Sequence, residues 1–120
     1  MIRQESQIKR LSNSVEISAI FSNNHRVSSP IGLILWKIGK NKNSRVAYCV
    51  SKKHGIAVKR NRIKRVLRHL VLNNSNLIPK NTDFVILPST RCDNWSTVSS
   101  DKKFKDLLLK FSKMRAEIDS

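Results

Sequence analysis

The stretch Ser51-Lys52-Lys53-His54-Gly55-Ile56-Ala57-Val58-Lys59-Arg60-Asn61-Arg62-Ile63-Lys64-Arg65-Val66-Leu67-Arg68 decides how this chain is read. From Lys52 to Arg68, eight of seventeen positions are Lys or Arg and none is acidic. Apolar residues run through it at helical spacing. Gly55 interrupts the pattern, so a helix is expected from about Ala57 to Leu72, stopped by Asn73-Asn74-Ser75-Asn76. On a wheel of 100° per residue, Ile63, Val66, Leu67, Leu70 and Val71 share a sector of about 140°. Asn61, Arg62, Lys64, Arg65 and Arg68 take the other side. One face can pack on a sheet while the other forms a guanidinium-rich ridge. Lys59 and Arg60 lie in the first turn, nearer the apolar sector, where long stems still reach water.

A merely solvated helix face mixes signs so that charges pair at i,i+4. Here every charge is positive, which points to a polyanion and above all to nucleic acid. Arginine suits phosphate because its planar fork binds two oxygens at once and never loses its charge. Asn61 adds a neutral donor and acceptor for a phosphate, a 2′-OH or a base edge. Gly55 allows an unusual turn, and the free N–H groups at the helix start favour anions.

The rest of the composition agrees. The chain has 120 residues, a net charge of +16 and 39% apolar residues, enough for one small domain with a modest core. Its eight acids are Glu5, Glu16, Asp83, Asp93, Asp101, Asp106, Glu117 and Asp119, and the interval from Ile17 to Thr82 has none against fourteen Lys or Arg. Nucleic acid docking there meets no like charge. The same gap argues against a stand-alone metal-dependent nuclease, which needs clustered carboxylates to hold Mg²⁺ against a phosphate.

Cys49 and Cys92 lack a second Cys or a His at ligand spacing, and Cys49 reads as a small buried hydrophobe. His54 has no ligand-type neighbour, so it reads as a turn residue or phosphate contact rather than a metal ligand. No signal peptide is evident, and the longest apolar run, Ile31 to Trp36, is far shorter than the roughly 20 residues of a membrane helix. A cytoplasmic location without membrane contact is expected. Phe21, Trp36 and Tyr48 lie in apolar runs, which favours the core. Trp36 adjoins Lys37 at a strand end and is the best candidate among them for stacking on an unpaired base.

The chain reads as a single domain over residues 1–120, with 1–13 polar and expected to be flexible. A helix is expected to begin at Ser14 as N-cap, with Ile17, Ile20 and Phe21 on one face, and to end at Asn23-Asn24. Ile31 to Ile38 reads as a strand apolar on both faces. Gly39 to Ser44 is turn chemistry, and Arg45 to Val50 reads as the returning strand of a hairpin. After the basic helix come a strand from Thr82 to Leu87, a polar loop over 88–100 containing Trp95, and an amphipathic helix from Asp101 to Met114. This is an α+β layout: helix, strands, basic helix, strand, helix. The passage from Arg45 to Leu87 can set two strands in parallel with the basic helix as their crossover.

The pattern Ser51-Lys52-Lys53-x-Gly55-x-Ala57-Val58-x-Arg60-Asn61-Arg62-x-Lys64-Arg65-x-x-Arg68 resembles the signature of the bacterial ribonuclease P protein subunit, centred on its Arg-Asn-Arg motif. The resemblance continues in order along most of the chain. It implies a protein that assembles with a large catalytic RNA to remove the 5′ leader of precursor tRNA by Mg²⁺-dependent hydrolysis, with no small-molecule substrate. It implies that the RNA carries the active site and holds most of the Mg²⁺. It assigns Lys52, Lys53, Lys59, Arg60, Asn61, Arg62, Lys64, Arg65 and Arg68 to the catalytic RNA. It assigns Ile17, Phe21 and Trp36 to a cleft for the single-stranded leader. It also implies a left-handed crossover around the motif helix, against the usual right-handed rule. The chain departs from the family pattern in its basic lead-in, where Ser12-Asn13 replace Lys or Arg, in the strand Ala47-Tyr48-Cys49-Val50, which replaces a Gly-apolar-Ser/Thr-apolar run, and at Ile17 and Ile56. Ile17 is aliphatic where an aromatic is usual, and Ile56 replaces a small or polar residue, often Asn. The alternative reading is a general RNA-binding or ribosomal-type protein with no processing role, and only the full motif separates the two.

Overall fold

A computed structural model describes residues 8–23, 25–91 and 95–119. In chain order they form β1 (Ile8–Arg10), α1 (Ser14–Phe21), β2 (Arg26–Ser29), β3 (Gly32–Ile38), β4 (Ser44–Tyr48), α2 (Ala57–Asn73), β5 (Thr82–Pro88) and α3 (Thr97–Asp119). The strands make one mixed sheet in the order β1-β4-β5-β3-β2. β4 runs parallel to β5, with Val46 beside Phe84, and α2 is the connection between them. The α+β layout expected from the sequence is therefore present.

The expected hairpin between Ile31–Ile38 and Arg45–Val50 does not form. β5 lies between β3 and β4, antiparallel to the first and parallel to the second. Six of its seven residues are buried, and a strand apolar on both faces belongs at the centre of a covered sheet. The hairpin that does form joins β2 to β3 through Pro30-Ile31, with Ser29 opposite Gly32. β2 escaped the sequence reading because Arg-Val-Ser-Ser contains a single apolar residue, Val27, and an edge strand needs no more. Gly32 is required by close approach: a Cβ there would lie 2.7 Å from the Leu87 carbonyl oxygen.

Each face of the sheet has its own core, as strand alternation demands. Ile34, Trp36, Val46, Phe84 and Ile86 face α2 and α3, which contribute Ile63, Leu67 and Leu70 and Phe104, Leu108 and Phe111. Leu35, Ala47 and Val85 face the other way and pack with Leu11 and with Ile20 of α1. The apolar sector expected for α2 is buried at all five positions.

Other boundaries move for local reasons. Asn13, not Ser14, caps α1: its Oδ1 accepts from the N–H groups of Val15 at 2.9 Å and Glu16 at 3.0 Å. Residues 8–13 belong to the fold, because β1 pairs in parallel with β4 and the Leu11 N–H donates to the Val46 carbonyl at 2.8 Å. Residues 1–7 and Cys92 lie outside the described residues. α3 starts four residues earlier than expected, where Ser96 Oγ accepts from the Ser99 N–H at 3.0 Å and Trp95 is buried.

Trp36 is wholly buried in the larger core, stacked on His25 with ring centroids 4.4 Å apart and tilted against Phe111. Among the described residues its indole N–H has no acceptor. Trp36→Ala is expected to cost about 3–5 kcal/mol by cavity formation. Trp36→Phe also removes the unpaired donor and should cost far less. Urea midpoints at constant m-value check both, and equal losses would contradict this account.

Candidate nucleic-acid interface

The ridge is built from a short 3-10 turn, a glycine and the first four turns of α2. In the turn, Lys52–His54, the lysines are exposed and His54 is buried. His54 Nε2 lies 3.0 Å from the Pro88 carbonyl oxygen. A carbonyl only accepts, so Nε2 carries the proton and donates. His54 is thus a turn anchor and not a phosphate contact. Gly55 follows at φ 116°, a region other residues avoid, and its N–H donates to the Lys52 carbonyl at 3.0 Å. Arg60 Nε donates back to the Gly55 carbonyl at 3.1 Å, so this side chain braces the turn.

Lys52, Lys53, Lys59, Asn61, Arg62, Arg65 and Arg68 are exposed, and Arg60 and Lys64 are half-buried. Among the described residues, no cation of this ridge is paired with a carboxylate. Ile56 precedes α2 as N-cap and offers no side-chain acceptor, leaving the first helical N–H groups open to an anion. Among the described residues no three His, Cys, Asp or Glu side chains are placed to hold a metal ion. The ridge can bind phosphate but is unsuited to Mg²⁺, which its cations would repel.

A groove of about 400 Å³ opens beside the ridge, between β1, β4, the start of α1 and the flank of α2. Leu11, Ile17 and Ala47 supply apolar wall, and Lys9, Arg10, Lys64 and Arg68 supply charge. Tyr48 and Cys49 also line it. Burial pushes the Tyr48 phenol up to about 12, with Arg68 opposing, and raises the Cys49 thiol, with Lys64 opposing. Both groups are neutral at physiological pH and add no negative charge.

An ion-pair cluster holds α1 over the sheet. Arg45 Nη2 lies 2.6 Å from Glu16 Oε2 and 2.7 Å from Asp83 Oδ2, and its Nε donates to Asp83 Oδ1 at 3.0 Å. Hydrogen bonds to Asp83 and then Glu16 raise the guanidinium above its ordinary value. The hydrogen bond from Arg45 holds the Glu16 carboxyl below its usual range, against a smaller effect of burial. The cluster gives both carboxylates a hydrogen-bonding partner in one guanidinium.

The family model described as Ribonuclease P matches residues 6–112. The chain belongs to the ribonuclease P protein family. It is 35% identical over 106 residues to the ribonuclease P protein component of Lactococcus lactis subsp. lactis, covering 88% of each chain. It is 43% identical to that of Finegoldia magna over 53 residues, which is 44% of this chain and 47% of that protein. The fold matches the ribonuclease P protein from Thermotoga maritima with a TM-score of 0.77 at 24% identity, covering 85% of this chain and 96% of that one. The Staphylococcus aureus ribonuclease P protein superposes with a TM-score of 0.74 at 23% identity, over 82% and 91% of the two chains. Family membership makes the chain a component of the ribonucleoprotein ribonuclease P, an endoribonuclease of tRNA processing.

Of the nine residues assigned to the catalytic RNA, seven are exposed and Arg60 and Lys64 are half-buried, along the turn and the first turns of one helix. The three residues assigned to the leader cleft are not brought together. Ile17 lines the groove, whereas Phe21, one turn further along α1, is exposed outside its lining. Trp36 sits on the opposite side of the sheet, in the core under α3, and offers no stacking face. Strand alternation gives the reason: Leu35, not Trp36, shares a face with α1. The groove also recruits Lys9 and Arg10, which the sequence reading left in a flexible tail. The only available signal was the adjacent basic pair beside Leu11.

Removing Arg45 would strand the buried Asp83 and release α1. Arg45→Ala should cost about 2–3 kcal/mol, below a fully buried pair because Arg45 keeps some solvent contact. Thermal unfolding checks this. The lowered Glu16 and Asp101 carboxyls contribute stability that is complete above their unfolded values, near 4.5 and 3.8, and is lost as pH falls through their folded values. Stability should therefore decline as pH falls below about 5, and Glu16→Gln should flatten part of that decline.

Proposed function

We propose that this chain binds the catalytic RNA of ribonuclease P through Lys52, Lys53, Lys59, Arg60, Asn61, Arg62, Lys64, Arg65 and Arg68. The groove beside Ile17 receives the 5′ leader of precursor tRNA, with Phe21 outside it on the same helix. The observation that carries this reading is the unpaired, single-sign ridge on α2 in a member of this family. Phosphates would meet forked guanidinium donors and open backbone N–H groups on one continuous surface. Chemistry and Mg²⁺ are left to the RNA, because the protein groups here are cationic and form no metal-ligand cluster among the described residues. Its contribution is affinity and orientation of substrate, exercised in the cytoplasm.

The groove suits a single strand for physical reasons. Its apolar wall accepts the face of an unstacked base, and Lys9, Arg10, Lys64 and Arg68 are available to track the backbone. Ile17 supplies apolar contact in place of an aromatic platform, so leader binding should rest more on charge than on stacking.

The deciding experiment is reconstitution with the cognate catalytic RNA, followed by precursor tRNA cleavage at low Mg²⁺. Stimulation by the protein is expected, and its absence would leave only general RNA binding. Arg62→Ala should weaken assembly by about 1–3 kcal/mol and lower the salt dependence by about one phosphate contact. Unchanged affinity would remove Arg62 from the interface. Lys9→Ala combined with Arg10→Ala should reduce the preference for substrates carrying a leader without changing affinity for the catalytic RNA. Equal losses on both RNAs would contradict the groove assignment.

A further inference from the structure

Ile56 and Val58 are the most exposed large apolar side chains near the ridge, at 73% and 75% exposure. Isolated exposed apolar residues are ordinary, but the placement of these two is not. Val58, Asn61, Arg62 and Arg65 stand at i, i+3, i+4 and i+7 on α2, and all four are exposed. They form one stripe, so whatever lies across Arg62 and Arg65 also covers Val58. Ile56 caps the same end of the helix, and the Gly55 turn beneath it is braced by the Arg60 hydrogen bond to the Gly55 carbonyl. The apolar tip is therefore held on a fixed support, with the exposed Lys52, Lys53, Lys59 and Arg62 within six residues of it in the chain.

Resting on the RNA-binding reading above, we infer that Ile56 and Val58 form a second, apolar element of that interface and pack on the face of an unstacked nucleotide of the catalytic RNA. Charge selects the occupant. A set of unpaired cations draws a polyanion over the tip, and the apolar surface a polynucleotide offers is the face of a base with its sugar edge. Both side chains are β-branched and stiff, so they lose little rotamer freedom on contact. Phosphate contacts weaken with salt through counterion uptake, whereas this contact does not. The tip supplies the salt-resistant share of binding.

The test uses substitutions that remove the contact without touching the ionic surface or weakening the helix. Ile56→Ala places no acceptor on the open helical N–H groups, and Val58→Ala raises helix propensity, so both should keep the melting temperature near or above wild type. Affinity for the catalytic RNA, measured across a salt series, should fall about fivefold for each variant. The slope of log affinity on log salt should stay at the wild-type value, in contrast to Arg62→Ala. Affinity within about twofold of wild type for the double variant would overturn the inference, as would a reduced salt slope. Loss of a wild-type dimer in sedimentation, with RNA affinity unchanged, would make the tip a protein contact and also overturn it. If the wild-type protein failed to bind the RNA at all, the RNA-binding reading and this inference would fall together. Normal wild-type binding with an indifferent double variant removes this inference alone.

Discussion

The placement of β5 between β3 and β4 is the constraint on which the rest of the molecule depends. β4 and β5 are parallel neighbours, so the chain between them must cross one face of the sheet. α2 makes that crossing. Its apolar sector closes the larger core over Val46, Phe84 and Ile86, and its other side is thereby turned outward. The basic ridge is exposed because the packing face is already committed. An antiparallel β3–β4 hairpin would have left the centre of the sheet without its most buried strand and α2 without a defined direction.

Two further interactions fix the surface proposed to bind RNA. The first is the turn before α2, where His54 donates to the Pro88 carbonyl and Gly55 takes a left-handed conformation closed by Arg60. It ties the start of the ridge to the end of β5, so ridge and sheet share one frame. The second is the Arg45 cluster, which fastens α1 to β4 and β5 through Glu16 and Asp83. It holds the helix that carries Ile17 and pairs both acids with one guanidinium. Ridge and groove meet at Lys64 and Arg68, which serve both. In the proposed function this arrangement holds a catalytic RNA and a single strand side by side, and the described residues form no metal-ligand cluster.

α2 was the most legible element, because seventeen residues carry both a 3.6-residue apolar period and a charge pattern of one sign. β5 and β3 were legible as strands from their apolar runs, but their neighbours were not. Strand pairing depends on which runs are buried on both faces, and that comparison involves elements far apart in sequence. β1 and β2 were missed because edge strands need few apolar residues. Trp36 was misplaced for a related reason. Its neighbour Lys37 suggested a solvent-facing end, whereas strand alternation together with the position of α3 sends the indole into the core.

By itself the sequence determined the chemistry of this protein: which residues carry charge, that the charge on α2 has one sign, and that one face of that helix must be buried. Those properties are local, set by side-chain type and helical spacing. Only the tertiary structure decided what those residues share space with. It drew Lys9 and Arg10 into the groove, assigned Arg60 to bracing a turn, removed Trp36 from the solvent and set Ile56 and Val58 at the tip of the ridge. The reason is that side chains on different elements become neighbours through strand order and helix crossing, and those follow from competition for burial over the whole chain.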